Sequence, residues 1–230
     1  MKSVGIIGGI APESTIEYYR LMIAAYRKLR PDAGYPSIVI NSIDLTKILG
    51  LVAAQRLAEL TDYVAGEIQR LADAGVDFAL LASNTPHIVF DELRRGAPIP
   101  LLSIVEAACE RAVSTGMKSL GLFGTRFTMQ GRFYPEVFSR AGIELFLPQD
   151  AEQTYIHDRY MGELVNAVFL PATRDGLLSI AERMVARYGI EGVILGGTDL
   201  PLILRDASAS VPFLDTTAIH VEKAVAEMLR

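Results

Sequence analysis

The sequence predicts an α/β protein of two similar three-layer α/β/α halves, each with a mostly parallel sheet. Three observations predict it. Short β-branched or apolar runs alternate with longer amphipathic segments along the 230 residues, the order that builds parallel sheets from strand–helix units. The short runs are mostly apolar without alternation, as in strands buried on both faces. A faint repeat relates the halves. Val4-Gly5-Ile6-Ile7-Gly8-Gly9 resembles Leu120-Gly121-Leu122-Phe123-Gly124-Thr125, with 116 residues from Gly5 to Gly121. Ala82-Ser83-Asn84-Thr85 corresponds to Gly196-Gly197-Thr198-Asp199, with 114 residues from Ser83 to Gly197. Two unrelated matches at nearly one offset point to duplication.

Strands are expected at Val4–Ile7, Ser37–Ile40, Phe78–Ala82, Ile99–Leu102, Leu120–Phe123, Glu144–Phe146, Val193–Leu195 and Phe213–Leu214. The clearest helix runs from Ala54 to Ala74, with Leu57, Leu60, Val64, Ile68 and Leu71 on one face. Gly75 stands where it should stop. Ser103 and Glu106 form a capping box before the helix Ile104–Ser114. No Gly/Ser linker separates the halves, so the crossing must be tight. The expected division is 1–105 with 210–230 for the first half and 106–209 for the second. The two would face each other across an active-site cleft, and the last helix, Thr216–Leu229, would return to the first half.

Composition narrows the function. The net charge is −5, with no block of like charge, so nothing suggests a nucleic-acid footprint or a basic face for membrane. The single cysteine, Cys109, excludes an internal disulfide and fits a reducing compartment. The N-terminus turns glycine-rich too soon for a signal peptide. No stretch approaches the ~18 apolar residues of a membrane span. The chain reads as cytoplasmic.

Four loops carry the chemistry. In Gly8-Gly9-Ile10-Ala11-Pro12-Glu13-Ser14-Thr15 the glycines permit a sharp turn, and Pro12 presets a helix whose free amides suit a carboxylate. The spacing is not that of a dinucleotide fingerprint, and alone the segment reads as an ordinary βα turn. Ser83-Asn84-Thr85-Pro86-His87 follows a buried strand, where parallel α/β folds bind ligands. Its hydroxyls, amide and backbone N–H groups suit a small carboxylate; Asn84 and Thr85 can equally cap a helix His87–Arg95. His87 can carry a proton, although one histidine at a helix start is more often structural. In Gly196-Gly197-Thr198-Asp199-Leu200-Pro201, Thr198 can donate to a carboxylate, and Asp199 can act as an acid or base, with helix capping its commoner role. In Gly124-Thr125-Arg126-Phe127-Thr128-Met129, Thr125 and Thr128 can bind an anion, and Arg126 is either its counter-charge or a solvated surface residue. Cys109 lies mid-helix among apolar neighbours as an inert thiol. His157 and His220 lack partners at metal-ligand spacing, so no metal is expected.

Together these loops resemble those of the aspartate/glutamate racemase family, the cofactor-independent amino-acid racemases. Gly8–Thr15 is similar to the family's opening loop. Ser83-Asn84-Thr85-Pro86-His87 is similar to its first catalytic loop, usually Cys-Asn-Thr-x-His, and Gly197-Thr198-Asp199 to its second, usually Cys-Thr-Glu. Gly124–Met129 and Phe213-Leu214-Asp215-Thr216 also match, so the resemblance spans essentially the whole chain. It implies a PLP-independent isomerase with no cofactor, a small amino acid or related carboxylate as partner, and a homodimer. In the family one thiolate removes the Cα proton and the opposite thiol returns one, because a thiol pKa near 8.5 can be tuned downward. Here Ser83 and Gly197 stand at those positions, and the resemblance puts Ile10, Thr15, Asn84, Thr85, Thr125, Arg126, Thr128 and Thr198 around the substrate. A serine needs an adjacent base, and glycine has no side chain. No lysine lies between Lys118 and Lys223, where the family tends to place one for substrate.

The implied function is racemase- or epimerase-type chemistry at Cα without the two-cysteine mechanism, and Ser83, Thr198, Asp199 and His87 are the candidates to move protons. His157 joins them if its helix turns inward. The alternatives are a one-base isomerase or decarboxylase of the same fold and a catalytically silent small-carboxylate binder. Serine is a common engineered stand-in for cysteine and glycine is not, which weighs against an engineered pair. A purely structural protein would not need so many small polar loops at strand ends.

Overall fold

The computed structural model describes residues 1–32 and 34–230. They form two compact units, Met1–Ile104 with Thr217–Arg230, and Val105–Thr216. In the first, β1 (Val4–Gly8), β2 (Ile38–Ser42), β3 (Phe78–Leu81) and β4 (Leu101–Leu102) make one sheet in the order β2-β1-β3-β4. Helices α1 (Pro12–Leu29), α2 (Leu45–Ala53), α3 (Leu57–Asp73) and α4 (Phe90–Gly96) connect them. The second unit repeats the plan. Its strands β5 (Ser119–Gly124), β6 (Glu144–Phe146), β7 (Gly192–Gly196) and β8 (Phe213–Asp215) lie in the order β6-β5-β7-β8. Its helices are α5 (Ile104–Ser114), α6 (Arg126–Met129), α7 (Phe133–Arg140), α8 (Asp150–Gly162), α9 (Pro171–Tyr188) and α10 (Leu200–Leu204). Helix α11 (Thr216–Met228) closes the chain. All registered strand pairs of both sheets are parallel.

Alternation along each strand sends side chains to both faces, and both are covered. Val4 and Ile6 of β1 and Phe78 and Leu80 of β3 pack with Tyr18, Met22 and Tyr26 of α1 and Val221, Ala224, Val225 and Met228 of α11. The last helix thus belongs to the first unit's core. On the other face, Gly5 lets α3 close on β1, since a Cβ there would lie 2.9 Å from Leu71 Cδ1. Its counterpart Gly121 does the same for α9, where a Cβ would lie 3.1 Å from Met184 Cε. The repeat therefore preserves a packing requirement as well as a motif. In the second unit Phe123, Val193 and Leu195 pack with Ile156 and Tyr160 of α8 and Leu177, Ile180 and Met184 of α9.

Four expectations need correction. The segment 210–230 does not lie wholly in the first unit, because β8 pairs with β7 in parallel, Val193 opposite Phe213. The long helix Ala54–Ala74 begins only at Leu57; α2 ends at Ala53, and Gln55 takes a left-handed turn (φ 55°) between the two. Gly75, at φ 79°, does close α3. The helix His87–Arg95 opens as a 3-10 turn, Thr85–Val89, before α4, with His87 N–H bonded to Asn84 O at 2.9 Å. The strand Ile99–Leu102 shortens to Leu101–Leu102, because Pro100 has no N–H for a ladder. Among the described residues no helix is long and apolar enough to cross a membrane.

Candidate functional site

In the first unit the loops after β1 and β3 leave the carboxyl ends of adjacent strands, the edge at which parallel α/β sheets bind ligands. The loop after β1 is braced from within. Gly9 N–H donates to Thr15 Oγ1 at 2.8 Å, and Thr15 Oγ1 donates to Ala11 O at 3.3 Å. Ser14 Oγ donates to Ala11 O at 2.8 Å. Thr15 therefore holds the loop's shape, with Ile10 buried beside it. Pro12 starts α1 where its missing N–H costs nothing.

Gly9 cannot be replaced cheaply. It sits at φ 83°, and a Cβ there would lie 2.3 Å from Ile43 O. The left-handed backbone alone costs a side-chain-bearing residue about 1–2 kcal/mol, and the carbonyl contact adds to it. Gly9→Ala is expected to destabilise the protein by at least about 2 kcal/mol. Urea unfolding would show this as a lower midpoint; an unchanged midpoint contradicts it.

After β3, Ser83, Asn84 and Thr85 are all buried although polar. His87 does not reach outward as a proton carrier. Its Nδ1 bonds Ser83 O at 3.0 Å, its Nε2 accepts Ile104 N–H at 3.3 Å, and its ring stacks on Phe90. Burial pulls its pKa down to about 3, so the ring is neutral, and both nitrogens are engaged with backbone. The first unit thus offers donors for an anion, and among the described residues no titratable side chain hydrogen-bonded to the Ser83 hydroxyl.

In the second unit the equivalent loops follow β5 and β7. Thr125 caps α6, its Oγ1 accepting Thr128 N–H at 3.3 Å, and the two hydroxyls lie 3.3 Å apart. Arg126 is exposed; its N–H donates to His157 Nδ1 at 3.1 Å. Burial, then the Arg126 charge, lowers the His157 pKa, so this ring too is neutral near pH 7. After β7, Thr198 and Asp199 are almost fully buried. Asp199 stands at the head of α10 but makes no side-chain cap. Its Oδ2 instead accepts the Tyr160 hydroxyl at 2.7 Å. Burial first, then the Asp199 carboxylate, push the Tyr160 pKa well above its ordinary value.

The sequence reading did not single out Tyr160. His157 and Tyr160 stand three apart on α8, so they share a face, and that face meets the ends of β5 and β7. A histidine and a tyrosine at this spacing on a helix with few other apolar positions was the available signal. Cys109 lies apart from these loops, its thiol 3.9 Å from Val137 O. Among the described residues no group of three or more His, Cys, Asp or Glu side chains is placed to hold a metal ion.

Comparison with known proteins gives these loops a context. The sequence profile of the Asp/Glu/Hydantoin racemase family matches residues 7–224. The broad specificity amino-acid racemase RacX of Bacillus subtilis is 23% identical over 231 residues, covering 98% of each chain. Among solved structures, a candidate Asp/Glu racemase from Yersinia pestis is 30% identical, with a TM-score of 0.90 over 100% of both chains. An aspartate racemase homologue from Pyrococcus horikoshii is 31% identical, with a TM-score of 0.86 over 100% of both chains.

Proposed function

The chain belongs to the Asp/Glu/Hydantoin racemase family, and from that premise we propose racemase-type chemistry at the Cα of a small amino acid or related carboxylate. The observation that carries the reading is the pair of buried polar loops at the carboxyl ends of β3 and β7, in a family profile that spans both units. In this proposal Asn84 and Thr85 are the carboxylate donors of the first unit and Thr198 that of the second. Thr125, Arg126 and Thr128 add donors and positive charge in the second unit, and Ile10, fixed by the Thr15-braced loop, supplies an apolar wall in the first. Ser83 and Gly197 stand at the family's cysteine positions, so two thiols do not act. Removing a general acid or base is worth on the order of 10²–10⁴-fold in rate, and turnover is accordingly slow. No cofactor is called for by this chemistry.

A second reading, a small-carboxylate binder without turnover, is favoured by two observations: both His87 ring nitrogens are engaged with backbone, and among the described residues no titratable side chain is hydrogen-bonded to Ser83 Oγ. One experiment separates them. The protein is incubated in D₂O with L- and D-aspartate, glutamate, alanine and serine, and the α-proton is followed by NMR while melting temperature is measured in parallel. Loss of the α-proton signal from at least one amino acid is the expected result. A raised melting temperature without exchange selects the binder. If neither is seen with any of them, both readings fail.

A further inference from the structure

We propose that Tyr160 is the proton-transfer group of the second unit, its phenol standing in for the thiol that position 197 lacks. The inference rests on the racemase-type reading above and adds a residue to it. Its basis is a steric exclusion. A Cβ built on Gly197 would lie 2.5 Å from Tyr160 Cε2 and 3.0 Å from both Tyr160 Cζ and the phenolic oxygen. A cysteine sulfur, one bond farther out, would have to share that volume with the ring. The space a side chain at 197 would claim is therefore already filled, by a group that also carries an exchangeable proton.

The filling group is not an inert plug. A buried ring placed only for bulk would do as well as phenylalanine, yet this one presents a hydroxyl to Asp199 Oδ2 at 2.7 Å. Asp199 N–H also points at the phenolic oxygen, at 3.4 Å. Asp199 is itself almost fully buried and makes no helix cap. A buried carboxylate aimed at a hydroxyl is the arrangement by which a weak acid–base group is activated. The protons balance without a further reactant. As the substrate Cα–H bond breaks, its electron pair stays on carbon and the proton forms an O–H bond on Tyr160. The phenolic proton moves to Asp199 Oδ2. The reverse sequence returns a proton to carbon, and exchange at Asp199 supplies solvent deuterium. Tyr160 is the group that meets the reacting carbon, and Asp199 acts through it as a positioning and proton-holding residue.

The test uses the whole chain and the D₂O assay, with the amino acid that exchanges fastest as probe. Tyr160→Phe removes one oxygen and leaves the ring in place. Its exchange rate is expected to fall at least 100-fold, with the amino acid's effect on melting temperature retained. Asp199→Asn is expected to lose exchange and to move the pH dependence of what remains, which a merely structural contact would not do. Exchange in Tyr160→Phe within threefold of the parent overturns this proposal and leaves the racemase-type reading standing. If Tyr160→Phe fails to fold, unaltered rate and pH profile in Asp199→Asn overturn it equally. No exchange by the parent protein with any amino acid overturns both.

Discussion

Acidification from pH 7.5 to pH 5 is expected to destabilise the first unit by several kcal/mol, through two buried histidines. His87 and His220 are both inside that unit, and burial holds each near a pKa of about 3, against 6.5 ordinarily. Burial is the main cause in both, because the charged ring would lose its water. His220 Nδ1 meets the Tyr18 hydroxyl at 2.9 Å while Nε2 meets Leu102 O at 3.2 Å. His87 Nε2 accepts Ile104 N–H while Nδ1 meets Ser83 O. At His87 a second proton would set Nε2–H against the Ile104 N–H; at His220 the Tyr18 hydroxyl can turn to accept, and burial is what disfavours the charged ring. The sign follows. The folded pKa lies below the unfolded one, so the unfolded chain takes up protons first. Stability is complete above about pH 6.5 and is lost as pH falls toward 3. At pH 5 linkage assigns about 2 kcal/mol to each ring, a large share of the ~5–15 kcal/mol of an ordinary domain. The urea midpoint should fall steeply between pH 7 and 5, and His220→Gln should reduce that slope by about one proton. A midpoint constant over the interval would refute the account.

These histidines also show where sequence reading stops. The strands were legible because each is a short apolar run, and every one of the eight appears within a few residues of its expected place. The repeat was legible because Gly5 and Gly121 answer the same need, space for a crossing helix. The loops Ser83–Thr85 and Gly197–Asp199 were legible because strand ends and small polar residues coincide. What could not be read were contacts between elements distant in sequence. Asp199 looked like a helix cap because the next residues form a helix; its partner, Tyr160, lies 39 residues earlier, on α8. A structural role for His87 could be read from its place at a helix start, but its partner could not, because Ile104 N–H belongs to the next strand–helix junction. The second-unit boundary was misplaced for the same reason, since only pairing with β7 reveals where Phe213–Asp215 belongs.

Placing a thiol at position 197 by Gly197→Cys is expected to fail alone and to succeed when Tyr160 is shortened. The new Cβ would meet the Tyr160 ring at 2.5 Å, and the ring is buried, with its hydroxyl tied to Asp199. Overpacking of this kind costs about 1–3 kcal/mol. Tyr160→Ala alone leaves a cavity and costs about 3–5 kcal/mol. In the double variant each change relieves the other, because the thiol occupies space the ring has vacated. A double-mutant cycle should therefore give a favourable coupling of at least about 1 kcal/mol. The chemistry should follow the packing. The double variant carries a thiol of ordinary pKa near 8.5 in place of the phenol, so α-proton exchange should return and become sensitive to iodoacetamide. Cys109 does not confuse the assay, since burial raises its pKa and Tyr160→Ala alone serves as control. Additive stabilities within about 0.5 kcal/mol would mean that Tyr160 does not occupy the cysteine's space. Restored packing without restored exchange would mean that the space is shared but the reacting carbon is not presented to it.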